Sequence, residues 1–239
     1  MVFLSDLHNK DYGNDNAKLL EAIRKLNPDV ILLGGDIMTA YPGKDFSTAV
    51  SMVSRLSDYP MAYAEGNHEY RAGIYPDVYG TMYEDYFNAL KDKGVSMLCN
   101  KYADFYDDLR VYCLSIEHKY YRRMHLYPMD NTYIHTLLGE PSEERFNILL
   151  AHNPDYFDNY SEWGPELTLS GHVHGGVVRI PGWRGVISPM WKLFPKYDGG
   201  MFDKNGKKLI VSRGLGMHTI PLRMFNPAEI VVIDLKPAR

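Results

Sequence analysis

Apolar and polar residues along this chain fall into blocks whose period changes from one block to the next. Val2-Phe3-Leu4 is a short apolar run that stops at Ser5. It is too short for a signal-peptide core and has no basic flank, so it predicts a strand. Over 16–26, Leu19, Leu20, Ile23 and Leu26 recur at helical spacing, and Asn27-Pro28 stops that helix. Val30-Ile31-Leu32-Leu33 is continuously apolar, the pattern of a strand covered on both faces. A second helical pattern covers 46–56, a third strand 60–64, and a longer helical stretch 78–93 with Gly94 as its stop. Strand, helix, strand, helix, strand is the order of an α/β layered domain.

The second half carries more strands. The pattern predicts them at 110–116, 146–150, 166–170, 208–212 and 229–235, with short helices at 131–139 and 155–160. The sequence shows no internal repeat, low-complexity tract or linker, so 1–239 is read as a single domain. Composition narrows the class. The chain has 239 residues, 45% hydrophobic and 23% charged, which fits a globular domain and excludes a disordered or fibrous chain. The formal net charge of -4 argues against a non-specific nucleic-acid grip, which rests on clustered Lys and Arg. No apolar run approaches the roughly 20 residues that span a bilayer. The two cysteines, Cys99 and Cys113, are read as buried thiols, so any metal must be held by His, Asp, Asn and Glu.

Polar clusters stand where the predicted strands stop: Ser5-Asp6-Leu7-His8, Gly34-Gly35-Asp36, Gly66-Asn67-His68-Glu69, Ala151-His152-Asn153 and Gly171-His172-Val173-His174-Gly175-Gly176. In α/β sheets the ligand crevice lies beyond the carboxyl ends of the strands, so five strand ends offer Asp, His and Asn to one place. Carboxylate, amide oxygen and neutral imidazole suit first-row divalent metals such as Mn, Fe and Zn. Asp6 and His8 are two apart, as are His172 and His174. On an extended strand exit each pair points the same way. A carboxylate within such a set is able to bridge two metals, and two metals about 3.5–4 Å apart clamp both oxygens of a phosphoryl displacement.

Asp6-Leu7-His8, Gly35-Asp36, Gly66-Asn67-His68-Glu69, His152 and Gly171-His172-Val173-His174 together resemble the five signature blocks of the calcineurin-like metallophosphoesterases. The resemblance covers roughly residues 2–176. The run from Gly214 through Pro221-Leu222-Arg223, Phe225-Asn226 and Glu229-Ile230-Val231 resembles a narrower branch of bacterial envelope phosphodiesterases and UDP-diacylglucosamine pyrophosphatases. The resemblance implies an α/β four-layer sandwich of two mixed β-sheets flanked by helices. It further implies that Asp6, His8 and His174 hold a first metal, that Asn67, His152 and His172 hold a second, and that Asp36 bridges them. His68 would hold no metal and would face the phosphoryl group as the catalytic residue. The implied cofactors are two divalent ions drawn from Mn, Fe, Zn, Co and Ni, with Mn favoured.

The expected activity is a dinuclear metal-dependent phosphohydrolase, a phosphodiesterase or pyrophosphate-bond hydrolase, using a metal-bridging hydroxide and His68. The alternatives are a phosphomonoesterase or protein phosphatase on the same site, and a non-catalytic protein-binding scaffold, which is disfavoured because all seven ligands are present. Two positions depart from the branch pattern. Thr39 stands where many relatives carry the acidic residue that orients the catalytic His, so the orienter of His68 is not visible, and Val177 stands where the branch often has Gln. Glu69 is read first as a solvated carboxylate at a helix start and second as a partner of a ligand imidazole. His118, His125, His135 and His218 are read as surface or packed histidines.

Lys119-Tyr120-Tyr121-Arg122-Arg123 is read first as a solvated loop; in the functional reading Arg122 and Arg123 meet a substrate phosphate. The aromatic stretch 183–202 is read mainly as packing over the core, with contact to a membrane surface or lipid-like substrate as the second reading. The expected partner is a small phosphorylated substrate, without strong nucleic-acid binding, and protein partners are not specified. The expected location is cytoplasmic, or membrane-associated if an anchor precedes this sequence.

Overall fold

In the computed structural model, residues 1–176, 178–180, 185–187, 194–217 and 223–236 are described. The first sheet collects β1 (Val2–Leu4), β2 (Ile31–Leu33), β3 (Met61–Ala64) and β4 (Met97–Leu98). The second collects β5 (Lys101–Phe105), β6 (Leu109–Leu114), β7 (Phe146–Ala151) and β8 (Leu167–Ser170). A two-stranded ribbon, β9 (Val178–Arg179) and β10 (Gly185–Ile187), follows. Next, β11 (Gly200–Lys204) and β12 (Lys207–Val211) join the second sheet, and β13 (Val231–Val232) returns to the first. The spatial orders are β13-β1-β2-β3-β4 and β11-β12-β8-β7-β6-β5. Neighbours within β1–β4 and within β6-β7-β8-β12 are parallel, while β13, β5 and β11 close edges antiparallel, so both sheets are mixed.

Strand alternation divides the apolar residues among three layers of core. Val2 and Leu4 face one way with Ile31 and Leu33, where they meet Leu20 and Ile23 of α1 (Ala17–Leu26), Met52 and Val53 of α2 (Ser47–Ser54), Ala72 of α3 (Asn67–Ile74) and residues that follow α4 (Pro76–Tyr79), including Tyr86 of α5 (Met82–Lys91). Phe3, Leu32, Ala62 and Ala64 face the other way and meet Val111, Cys113, Ile148, Leu150 and Leu169 of the second sheet. On that sheet's far side, Tyr112 and Leu149 pack with Ile134 of α6 (Tyr133–Leu138) and with Phe157, Tyr160 and Trp163 of α7 (Phe157–Trp163). The result is helix, sheet, sheet, helix, the expected four-layer sandwich.

The strand between 229 and 235 shrinks to β13, and the helical stretch 78–93 resolves into α5 with the short α4 before it. α3 begins inside Gly66-Asn67-His68-Glu69, in keeping with the helix start read at Glu69. β5 leaves no apolar run in the sequence because it is an edge strand with mostly exposed side chains. Cys99 and Cys113 are free thiols, Cys113 fully buried. No helix among the described residues is long and apolar enough to cross a membrane. Val177, His218, Trp183 and Trp191 lie outside the described residues. Within the rest of 183–202, Tyr197 is buried with its ring edge-on to Phe157, as the packing reading expects, whereas Phe194 is exposed.

Candidate metal centre

The first-sheet and second-sheet strands that carry the five motifs all end at the same rim. Backbone hydrogen bonds tie those ends together. Asp6 N–H donates to Gly35 O at 3.0 Å, His8 N–H to Asp36 O at 3.0 Å and Asn9 N–H to Ile37 O at 3.1 Å. Gly171 N–H donates to His152 O at 3.1 Å, joining the β7 and β8 exits. Across the sandwich, His152 Nδ1 donates to Gly34 O at 2.6 Å. A carbonyl only accepts, so this bond places the His152 proton on Nδ1 and turns the Nε2 lone pair inward.

The chain is not extended at these exits. Asp6, His8, Asp36, His172 and His174 have φ of 55°, 53°, 53°, 69° and 50°. Left-handed backbone at five non-glycine residues is strained, and such strain concentrates where function demands it. It also corrects the same-side expectation for His172 and His174, while Asp6 and His8 do share one cluster. Asp6, His8 and His174 form one cluster, and Asp36, His152 and His172 form another, so the Gly-His-Val-His loop sends its two imidazoles to different places. Asp36 also joins His8 and His68 in a third cluster, which puts its carboxylate between the other two.

Distances inside the clusters suit ligands of a shared cation. His174 Nε2 is 3.3 Å from Asp6 Oδ1, His152 Nε2 is 3.1 Å from Asp36 Oδ2, and His8 Nε2 is 3.1 Å from His174 Nε2. A His152 lone pair aimed at a carboxylate needs a positive charge between them. Without a metal that charge is a proton. Burial opposes it, but Asp36 and Asp6 hold the His152 imidazolium up to about 10. Burial likewise works against charge on Asp36, yet the charge of His152 and its hydrogen bond hold the Asp36 carboxyl well below the usual range. Burial raises Asp6. Asn67 Oδ1 is buried without a hydrogen-bond donor among the described residues, as a metal-directed amide oxygen would be. The donor set and its unmet electrostatics therefore fit divalent cations.

At Glu69 the structure corrects the sequence reading, and at His68 it supplies the orienting groups that the sequence does not show. Glu69 is fully buried. Its carboxylate accepts from the backbone N–H of Asp36 and Ile37 at 2.9 Å, Met38 at 3.2 Å and Gly66 at 3.0 Å, and from Tyr63 OH at 3.0 Å. It is neither solvated nor bonded to an imidazole; it ties the β2 exit to the β3 exit. Burial, then the charge of Asp36, pushes this carboxyl up to about 7 against the pull of those N–H groups. Thr39, for its part, contacts His8 Nδ1 at 3.3 Å rather than His68. His68 is oriented instead by Ala40 N–H and by Arg71 Nη2, each 3.0 Å from its Nδ1. Both are donors, so Nδ1 accepts and the ring proton sits on Nε2.

Glycine permits the approach of the loops. A Cβ on Gly171 would overlap Ser5 Oγ and Asp6 Oδ2, and one on Gly66 would overlap Asp36 Oδ1. The C-terminal segment adds a clamp that no local pattern announced: Asn226 Nδ2 donates to His174 O at 2.6 Å and Gly176 O at 2.7 Å. Above the clusters lies a cavity of about 560 Å³, lined by His8, Asn67, His68, Arg71, His172, Arg122 and Arg123 among others. Tyr121 is buried beneath it, ring centroid 5.2 Å from that of His172. Arg122 and Arg123 are exposed at the edge. Of the outlying histidines, His118 lines the cavity half-buried, His125 is exposed and His135 meets Glu140 at 2.8 Å.

A family model described as calcineurin-like phosphoesterase matches residues 1–176. The chain belongs to the calcineurin-like phosphoesterase family. It is 28% identical over 242 residues to metallophosphoesterase YkuE of Bacillus subtilis, covering 99% of this chain and 78% of that protein. It is 30% identical to metallophosphoesterase Cj0846 of Campylobacter jejuni, covering 99% of this chain and 59% of the relative. A transmembrane protein with metallophosphoesterase domain from Danio rerio is 28% identical, over 100% of this chain and 53% of that protein. The chain thus spans little more than half the length of the latter two. Among solved structures, TT1561 of Thermus thermophilus superposes with a TM-score of 0.54 at 14% identity, over 90% of this chain and 88% of that one, a likeness of fold. With the His/Asp clusters, the family makes this chain a metal-dependent phosphoesterase.

Proposed function

We propose that this chain is a dinuclear phosphohydrolase that cleaves phosphodiesters or pyrophosphate-linked compounds. The observation that carries the reading is the position of Asp36, whose carboxylate belongs both with His8 and with His152 and His172. Asp6, His8 and His174 would hold one cation; Asn67, His152 and His172 would hold the other; Asp36 would contact both. Manganese is the favoured ion. When bound, such a pair activates water as a nucleophile at neutral pH and neutralises charge on the phosphoryl oxygens.

The protein's own part is positional. Gly34 O holds His152 in one tautomer, and Thr39 braces His8. Ala40 N–H and Arg71 hold His68 with its proton on Nε2, ready to stabilise or protonate the leaving oxygen. Arg122 and Arg123 would meet substrate phosphate. The reading gives a neutral His68 a job as donor, so His68→Ala lowers kcat for bis(p-nitrophenyl) phosphate by about 10²–10⁴-fold while metal content stays unchanged by elemental analysis. Full activity in that variant removes His68 from the mechanism. A panel of diesters, monoesters and nucleoside-diphosphate sugars, assayed with added Mn, separates the diesterase from the phosphomonoesterase.

A further inference from the structure

The cavity above the clusters has a second chemical character beyond what the scissile phosphoryl group requires. Its wall includes Lys44 from the loop before α2, Arg71 from α3, and Arg122 and Arg123 from the loop after β6. Among the described residues no Asp or Glu lines it. This runs against the composition of the chain, which has 30 acidic residues to 26 Lys and Arg. Among the described residues none of these four cations forms an ion pair, whereas neighbouring Lys119 is matched by Glu117 at 3.0 Å. His118 stands between two of them: burial and the charges of Arg71 and Arg122 lower its pKa. Unmatched cations converging on a concave surface raise the local concentration of anions.

The scissile phosphoryl group does not need them all. It is already met by the proposed cation pair and His68. A cavity of about 560 Å³ falls in the range of sites for whole small molecules rather than for one phosphoryl group. Guanidinium forks are matched to phosphate oxygens, and Lys44 adds a point charge from the opposite loop.

We propose that the substrate carries a second phosphate-like anion, separate from the phosphoryl group at the carboxylate–imidazole clusters, and that Lys44, Arg71, Arg122 and Arg123 hold it. The proposal rests on the phosphohydrolase reading and names its substrate class: compounds with two phosphate-type groups. It is tested with metal-loaded protein and three p-nitrophenyl phosphodiesters whose other arm is ethyl, 2-phosphonoethyl or 2-(trimethylammonio)ethyl. The phosphonoethyl diester is expected to have kcat/KM about tenfold above the ethyl diester, through KM, with the trimethylammonio diester lowest. The gap narrows as salt screens the cations. In Arg122→Ala/Arg123→Ala the preference flattens, and in Arg122→Glu/Arg123→Glu the order reverses. Both residues are exposed, so the fold persists and circular dichroism checks it. Glycerol 1,3-bisphosphate and phosphatidic acid vesicles, added as competitors, tell whether the anion is carried by a free small molecule or by a lipid headgroup. Hydrolysis of all three diesters at equal kcat/KM overturns this proposal and leaves the phosphohydrolase reading intact, as does a double variant that keeps the wild-type preference. Hydrolysis of none overturns both.

Discussion

Glu69 and His152 show how single side chains set this site through groups they do not share with substrate. Glu69 gathers four backbone N–H donors from two loops, so its removal leaves buried donors without acceptors. Glu69→Ala is expected to lower the unfolding free energy of the metal-free protein by about 3–5 kcal/mol, read from urea denaturation; a change below about 1 kcal/mol would contradict the bracing role. His152 makes a different demand. Its folded-state pKa of about 10 lies above the ordinary 6.5. In the metal-free protein the His152–Asp36 pair therefore supports the fold fully below the ordinary value and loses that support as pH rises through about 10. A cation that takes this position must displace the proton. Metal binding near pH 7 should release protons and tighten as pH rises, measured by calorimetry in buffers of differing ionisation enthalpy. Buffer-independent heats would refute it. The His and Asp residues were legible as candidate ligands from their chemistry alone. The burial of Glu69 was not, because a carboxylate beside His68 at a helix start looks the same in sequence whether it faces water or a ring of amides.

Secondary-structure elements deliver these residues by where they stop. β1, β2, β3, β7 and β8 were readable because each is a short apolar run ending in polar residues. Their exits are held in register by bonds such as Asp6 N–H to Gly35 O. α3 was signalled only by the helix start read at Glu69, because its first turn is Asn-His-Glu, yet that turn places Asn67 and His68 at the cavity and Glu69 behind it. The tight approach of the β8 exit to the β1 exit depends on Gly171. Gly171→Ala would set a methyl group against Ser5 and Asp6 and force the loops apart. Metal affinity should fall by about 10–100-fold with the far-UV circular dichroism unchanged. Wild-type affinity in that variant would mean that the loop yields without disturbing the ligands.

Across the whole molecule, the final described segment closes over the site. Asn226 reaches back 52 residues to hold His174 O, and Arg223 Nε donates to Asn226 O at 2.8 Å. Asn226→Ala should speed hydrogen exchange across 171–176 and weaken metal retention on dialysis; unchanged protection there would rule out the clamp. The sequence by itself determined the layered α/β class, the strand ends and the identity of the seven candidate ligands, because apolar periodicity and donor chemistry are local properties. Tertiary structure decided the left-handed turns that part His172 from His174, the tautomers of His68 and His152 and the run of cations on the cavity wall. Each of these depends on left-handed turns or on partners distant in the chain, and neither leaves a period that can be read along it.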